Sequence, residues 1–217
     1  MRKKLDEQFD ELNKQFVLLG SLCEKNLGED FAALTEKDRE RALYVFNQKY
    51  DLANRSRDIE RSCLSLILRQ QPVASDLRLV SAVLKMVTDL DRIGAQSVDI
   101  AEIVMTYDYT LVGKSFDLLI KMSEAVRQIM HKAVDSFVRL DQRVADDVLK
   151  SDDGVDKYFM MIKQAITEEL TENPEHKVSL DVLLMAKYLE RTADHCCNIA
   201  QWVLYVITGK QPGTSSI

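Results

Sequence analysis

The sequence predicts an all-α protein built from two tandem three-helix bundles. Its 217 residues include seven Gly and three Pro, so residues that interrupt helices are rare. Apolar residues recur at steps of three and four along six long segments, and no segment shows the alternation of a strand. One of these segments also occurs twice, which indicates that the chain consists of two similar halves.

The repeated segment reads LDRIGAQSVDIAE at 90–102 and LERTADHCCNIAQ at 189–201, a separation of 99 positions. Each copy of the repeat contains three helices, with a proline between the second and third. We therefore predict a first repeat at 1–108 and a second at 109–217, placed end to end or fused into one rod. Because a helix of about 30 residues spans about 45 Å, we expect an elongated molecule.

In the first half, apolar spacing predicts a helix that Gly28 ends. A second helix begins at the TEKD segment (35–38), which resembles a capping box, and stops at Pro72 because proline lacks the backbone N–H. A third helix runs from about Ser75 to Met105.

In the second half, we place the boundary between the repeats at 107–113 and a fourth helix directly after it. Asp141 is the expected N-cap of a fifth helix, in which Gly154 marks a position of expected bending. The sixth helix begins near Lys177 and ends at Gly209, a typical C-terminal glycine.

Charge and hydropathy exclude several classes of protein. The net charge of −6 argues against a nucleic-acid binder, which needs a basic surface. No apolar run is long enough to span a membrane, and the N-terminus lacks the apolar core of a signal peptide. We therefore predict a cytoplasmic protein.

The four cysteines have no C-x-x-C spacing, and we expect small buried side chains in a reducing compartment. The alternative is a redox or soft-metal site at the vicinal pair Cys196 and Cys197.

Paired carboxylates at helical spacing are the main candidate for a functional site. Glu190 and Asp194 are four residues apart and so leave the same face of the sixth helix. Asp152 and Asp156 repeat this spacing on the fifth helix, with Asp153 beside them. Carboxylates from two facing helices of a bundle can surround a cation. The alternative is that these residues form an ordinary solvated face.

The equivalent group in the first half is centred on Asp91. The acidic residues that we expect around it are Asp51, Asp58, Glu60, Asp89 and Asp99. Among the histidines, His195 beside Asp194 has a plausible ligand role, although a structural role is the alternative.

Catalytic motifs are absent from the sequence. It contains no P-loop, no H-E-x-x-H, no G-x-S-x-G and no Rossmann glycine run. We therefore predict a protein that is not an enzyme. Two alternatives stay open: a metal-dependent phosphatase that uses Glu190 and Asp194, and a helical scaffold or metal buffer unrelated to phosphate.

Four segments together resemble the PhoU family, the cytoplasmic regulators of bacterial high-affinity phosphate transport. In order, they are QQPVASDLR (70–78), KMVTDLDRIG (85–94), LERTADHCCNIA (189–200) and YVITGK (205–210). The resemblance implies two three-helix bundles in a homodimer. It also implies a negative regulator of phosphate uptake and starvation signalling, whose partners are the ATPase subunit of the phosphate ABC transporter and the sensor histidine kinase. It would associate with the membrane peripherally, through these partners.

The resemblance further implies metal binding on each bundle, through Glu or Asp followed four residues later by Asp. Iron, zinc, manganese and magnesium are all candidates. The second half matches this motif at Glu190 and Asp194, and Asp152 and Asp156 match the acids of the partner helix. The first half departs from the pattern, because Ala95 follows Asp91 where the family commonly has Asp, and Asn54 stands where the second half has Asp156. We therefore expect the first-half site, at Asp91 and Asp51, to be weaker or empty.

Overall fold

The computed structural model describes residues 2–109, 112–173 and 179–212. These residues form seven helices and no strand: α1 (Arg2–Glu36), α2 (Arg39–Asn47), α3 (Lys49–Gln70), α4 (Ser75–Thr106), α5 (Lys114–Arg139), α6 (Gln142–Glu172) and α7 (Ser179–Thr208). The all-α prediction is confirmed. We call α1–α4 the first repeat and α5–α7 the second repeat; the boundary at 108/109 stays a prediction.

The predicted end of the first helix at Gly28 is wrong, because α1 continues to Glu36. Gly28 costs about 1 kcal/mol relative to Ala in a helix. On the two sides of it, Leu27, Phe31 and Leu34 lie on one face and are buried. Their burial outweighs the cost of a single glycine, so the helix passes through it.

The predicted second helix is interrupted, and its start is three residues later than expected. Thr35 belongs to α1, where its hydroxyl donates to the Phe31 carbonyl at 3.0 Å. Asp38 is the N-cap of α2, and its carboxylate accepts from the Glu40 N–H at 3.0 Å. At Gln48 the N–H bonds to the carbonyl of Val45 at 2.9 Å, a tight three-residue turn that separates α2 from α3.

The other described helix ends agree with the prediction. The Asp141 carboxylate caps α6 by accepting from the Arg143 and Val144 N–H groups. α6 is continuous through Gly154. Gly209 follows α7 with a φ of 78°, and its N–H bonds to the Tyr205 carbonyl at 2.9 Å. The predicted start of this helix near Lys177 and the tail after 212 lie outside the described residues.

The two repeats lie side by side, so the end-to-end alternative is wrong. α4 packs against α7, and α1 packs against α5. The rings of Phe16 and Phe137 are 4.5 Å apart, and the Thr192 hydroxyl donates to the Gln96 side-chain oxygen at 2.8 Å. Buried apolar residues of both repeats form one continuous core.

All four cysteines are free and buried, as predicted. Burial raises the pKa of Cys23 and Cys63 to about 12 and the pKa of Cys196 well above its ordinary value. Reactive cysteines need an accessible thiolate, so the redox alternative for the vicinal pair has no support from the fold. In the described ranges, no helix has the length and apolarity that a membrane span requires.

One buried polar pair stands out in this core. Asn26 and Asp30, one turn apart on α1, are fully buried. None of the four polar atoms of these two side chains has a hydrogen-bond partner within the described part of the chain. Burial, followed by the charge of Glu29, raises the pKa of Asp30 well above its usual value. Ionising this carboxyl in the folded chain is therefore costly.

We expect Asp30→Asn to stabilise the protein at pH 8. Because the folded-state pKa of Asp30 is raised, its contribution to stability is fully present below about pH 3.8 and is lost as pH rises. The substitution removes this loss, so Tm should rise by about 3 °C or more at pH 8 and by less at pH 5. Thermal denaturation at both pH values is the measurement. Asp10→Asn, at an exposed position of the same helix, is the control, and an unchanged or lower Tm for Asp30→Asn at pH 8 contradicts the account.

Candidate functional site

The acidic segments of α6 and α7 lie beside each other because these helices pack antiparallel. Near one end of the contact, the Cys197 thiol lies 3.9 Å from the Val148 carbonyl. Further along, the Lys187 ammonium lies 5.4 Å from the centre of the Phe159 ring. The residues between these two points on each helix include the predicted carboxylates.

An apolar seam holds the two helices together and leaves the carboxylates along its edge. The residues of the seam have at most 1 % of their surface exposed: Val148, Val155, Ile162, Ala186, Leu189 and Ala193. Their spacing of three, four and seven places them on one face of each helix. The acids next to them are half-buried or exposed rather than enclosed.

The structure brings the acids of α6 close to those of α7. The pKa of Asp152 is raised first by burial and then by the negative charges of Asp194 and Asp156, with Asp153 acting more weakly in the same direction. A hydrogen bond with Cys197 opposes the rise. Carboxylates on two helices therefore repel one another here.

Asp194 shows the same repulsion from the other helix. Its pKa is raised by partial burial and then by Glu190, while Lys187 is the main opposing charge. Lys187 forms an ion pair with Glu190, whose side chain is 18 % exposed. One lysine does not cancel the repulsion, so this face keeps an excess of negative charge. We call Asp152, Asp153, Asp156, Glu190 and Asp194 the second-repeat acidic face.

The second-repeat acidic face fits a hard cation by charge and donor type. Carboxylate oxygens are the ligands that Mg²⁺ and Mn²⁺ prefer, and a cation would relieve the repulsion that raises the pKa of Asp152 and Asp194. As the side chains are placed, however, no three His, Cys, Asp or Glu residues of the described ranges are arranged to hold a metal ion. Metal binding here stays a prediction.

The first-repeat acids have cationic neighbours. The Asp51 carboxylate lies 2.7 Å from Nε of Arg55. Asp91 and Asp99 line a cavity of about 160 Å³ together with Lys49. The pKa of Asp99 is raised by burial and then by the charge of Glu102, and Lys49 opposes the rise more weakly. We call Asp51, Asp91 and Asp99 the first-repeat acidic face.

Two acids that we expected around Asp91 make polar contacts with other residues. Asp58 pairs with Arg61 at 2.9 Å on its own helix. Asp89 faces the second repeat, where its Oδ1 lies 2.8 Å from Nδ1 of His195 and accepts from the Asn198 amide at 3.2 Å. His195 therefore contacts a carboxylate of the other repeat, which sequence spacing did not predict.

Sequence reasoning also missed the lysines of both faces. Lys49 begins α3, far in sequence from Asp91, so only the helix packing reveals that they line the same cavity. Lys187 was detectable, because it lies three residues before Glu190 and such pairs meet on a helix. Asp89 has Tyr188 at the equivalent position of the second repeat, and this break in the repeat was the available signal.

Comparisons with known proteins agree with the duplicated architecture. A sequence model of the PhoU domain matches residues 16–104 and 119–203. The chain belongs to the PhoU family. Its relative in Clostridium acetobutylicum, named a phosphate-specific transport system accessory protein PhoU homolog, is 31% identical over 216 residues, which are 97% of each chain.

Solved structures of PhoU proteins share the fold. The crystal structure of PhoU from Pseudomonas aeruginosa superposes with a TM-score of 0.89 at 26% identity, covering 94% of this chain and 99% of that one. The phosphate transport system regulatory protein PhoU from Streptococcus pneumoniae gives a TM-score of 0.88 at 25% identity, covering 97% and 100%.

We expect Asp152→Asn/Asp194→Asn to stabilise the metal-free protein at pH 8. Both folded-state pKa values are raised, so the wild type loses stability as pH rises above about 4, and the amides remove that loss. Because both groups are partly exposed, the gain should be small, about 2 °C in Tm. Thermal denaturation in EDTA measures it.

The control for this double variant is Asp147→Asn, an exposed position of α6 near Lys150. A lower Tm for the double variant in EDTA would mean that its carboxylates make favourable contacts in the metal-free chain, against the repulsion described above.

Proposed function

We propose that this chain is a non-enzymatic accessory protein of phosphate-specific transport. It would dampen high-affinity phosphate uptake and the phosphate-starvation signal when phosphate is plentiful. The observation that carries the proposal is full-length similarity: relatives named as accessory proteins of this transport system align with 97% of the chain.

Its partners, in this proposal, are the ATPase subunit of the phosphate ABC transporter and the sensor histidine kinase, and it acts as a homodimer at the cytoplasmic face of the membrane. Large apolar side chains on the surface support a docking role, since such groups mark interaction surfaces. On either side of Pro72, the exposed fractions are 52% for Leu64, 77% for Leu68 and 73% for Val73.

The contacts of the two described histidines support a role without catalysis. His131 lies 3.2 Å from Glu24, and His195 lies 2.8 Å from Asp89. A histidine that serves as general base for a nucleophile needs that nucleophile within hydrogen-bond reach. In both cases the contact within the described residues is a carboxylate.

The second-repeat acidic face is, in this proposal, a cation site. Asp152, Asp156, Glu190 and Asp194 would hold iron, zinc, manganese or magnesium, and Asp153 lies at the periphery. A bound cation supplies positive charge and coordination positions that oxygen ligands can fill. The protein contributes rigid helices that hold the four carboxylates along one seam. Lys187 provides the local positive charge when the cation is absent.

The functional proposal predicts phosphate accumulation in cells that lack the gene. In phosphate-rich medium, deletion should raise phosphate uptake, and the wild-type gene should restore it. Glu190→Gln/Asp194→Asn should fail to restore it if the acidic face takes part in regulation. Intracellular phosphate is the measurement, with immunoblots to show equal protein levels.

A matched control for this complementation is Asp147→Asn/Glu172→Gln, which removes two exposed carboxylates from α6 and should restore regulation fully. Unchanged uptake after deletion of this gene and of any paralogue would refute the regulatory proposal. If Glu190→Gln/Asp194→Asn restored normal phosphate uptake, the acidic face would have no role in regulation.

The cation proposal predicts saturable binding of Mn²⁺ to the purified full-length chain by calorimetry. Asp152→Asn/Asp194→Asn should weaken the affinity by about 10-fold or more, since each lost carboxylate removes a charged oxygen ligand. Asp147→Asn should leave the titration unchanged. Equal Mn²⁺ affinity for the wild type and the double variant would exclude this face as the site.

A further inference from the structure

The two repeats balance the charge of corresponding faces in different ways. On the second-repeat acidic face, carboxylates of α6 and α7 lie along one apolar seam, and Lys187 forms an ion pair with Glu190. On the first-repeat acidic face, the carboxylates lie next to cations of the same chain. The first-repeat face thus has two cations, Lys49 and Arg55, for three carboxylates, whereas the second-repeat face has one, Lys187, for five.

Lys49 lines the cavity at the contact between α3 and α4. It is the first residue of α3, and the carboxylates that line the same cavity, Asp91 and Asp99, belong to the neighbouring α4. Its charge opposes, without outweighing, the rise in the Asp99 pKa that burial and Glu102 cause. Lys49 therefore adds a positive charge to the cavity at the α3–α4 contact.

The remaining acid of this face is compensated on its own helix. Arg55 lies four residues after Asp51, and its Nε is 2.7 Å from the carboxylate. Arginine stays charged at any physiological pH. An ion pair this exposed adds little to stability, but it lowers the negative potential that a metal ion would meet.

The first repeat also lacks two of the oxygen ligands. Ala95 lines the cavity at the position four residues after Asp91, where the second repeat has Asp194. Asn54, which stands where the second repeat has Asp156, accepts a hydrogen bond from Arg57 at 3.0 Å. The donor set of this face therefore lacks two of the carboxylates that the second repeat has at corresponding positions.

We propose that Lys49, with Arg55, is a built-in substitute for a metal ion in the first repeat, so that this protein responds to metal through its second repeat alone. The proposal rests on the cation site proposed above for the second repeat. It makes the chain an asymmetric member of its family: one half has a fixed charge balance, and the other half has a charge balance that depends on the metal supply.

The test is Mn²⁺ titration of full-length chains in which the second-repeat face carries Asp152→Asn/Asp194→Asn. This background should bind Mn²⁺ at least about 10-fold more weakly than the wild type. Adding Asn54→Asp/Ala95→Asp restores the missing acids but keeps Lys49, and we expect only a small recovery of Mn²⁺ affinity. Adding Lys49→Met to these two changes should strengthen Mn²⁺ binding by a further factor of about 10. Lys49→Arg in the same background is the control. It keeps the positive charge and should not strengthen Mn²⁺ binding.

Equal Mn²⁺ affinities for the Lys49→Met and Lys49→Arg versions would overturn the proposal, because the lysine charge would then be irrelevant. Strong Mn²⁺ binding to a first repeat with Lys49 intact and no added acids would overturn it as well. If Asp152→Asn/Asp194→Asn alone leaves wild-type affinity unchanged, the second-repeat cation site fails. Even then, the comparison of Lys49→Met with Lys49→Arg, each with the two added acids, decides whether Lys49 excludes metal from the first repeat.

Thermal denaturation gives an independent readout that needs no second-repeat variant. In EDTA, Lys49→Met should lower Tm by about 2 °C, because Asp99 loses the positive charge that opposes its repulsion from Glu102. Lys49→Arg should preserve Tm. Equal Tm values for both variants would show that Lys49 does not balance the face.

Discussion

The antiparallel packing of α4 against α7 is the constraint on which the rest of the molecule depends. These are the helices that carry the duplicated segment, and they bury much of their length against each other. α3 packs against α4 and α6 packs against α7, so each acidic face lies at a helix contact within its own repeat. The α4–α7 contact also brings Asp89 of one repeat within 2.8 Å of His195 of the other, a polar contact that a single repeat could not form.

Within this frame, duplication provides equivalent backbone positions, and side-chain differences decide what each position does. On the second repeat, carboxylates from α6 and α7 meet along an apolar seam that keeps them close despite their repulsion. On the first repeat, alanine, asparagine, lysine and arginine occupy the positions around Asp51 and Asp91. The hydrophobic packing that holds both repeats is similar, so the faces can diverge in charge without altering the fold.

Much of the fold could be predicted from the sequence, because apolar periodicity over long segments and rare helix breakers determine an all-α chain. The errors have local causes. Gly28 did not end α1, since buried neighbours on both sides outweigh one glycine, and the break at Gln48 carries neither Gly nor Pro as a signal. The side-by-side arrangement depends on which apolar faces meet, which periodicity alone does not specify.

The candidate site was predictable only where its residues lie on the same helix or repeat a known spacing. Glu190 and Asp194 meet this condition, and the partner acids Asp152 and Asp156 follow from the repeat. Lys49 and Asp89 act across helix contacts between residues distant in sequence, so their partners appear only once the helices are packed.

Anomalous X-ray diffraction from crystals of the full-length protein grown with Mn²⁺ tests the central claim most directly, since it locates metal without relying on variants. The account predicts manganese density between Asp152 on α6 and Asp194 on α7, and no density in the cavity beside Asp91 and Lys49. Manganese beside Asp91, or its absence from the second-repeat acidic face at saturating Mn²⁺, would contradict it.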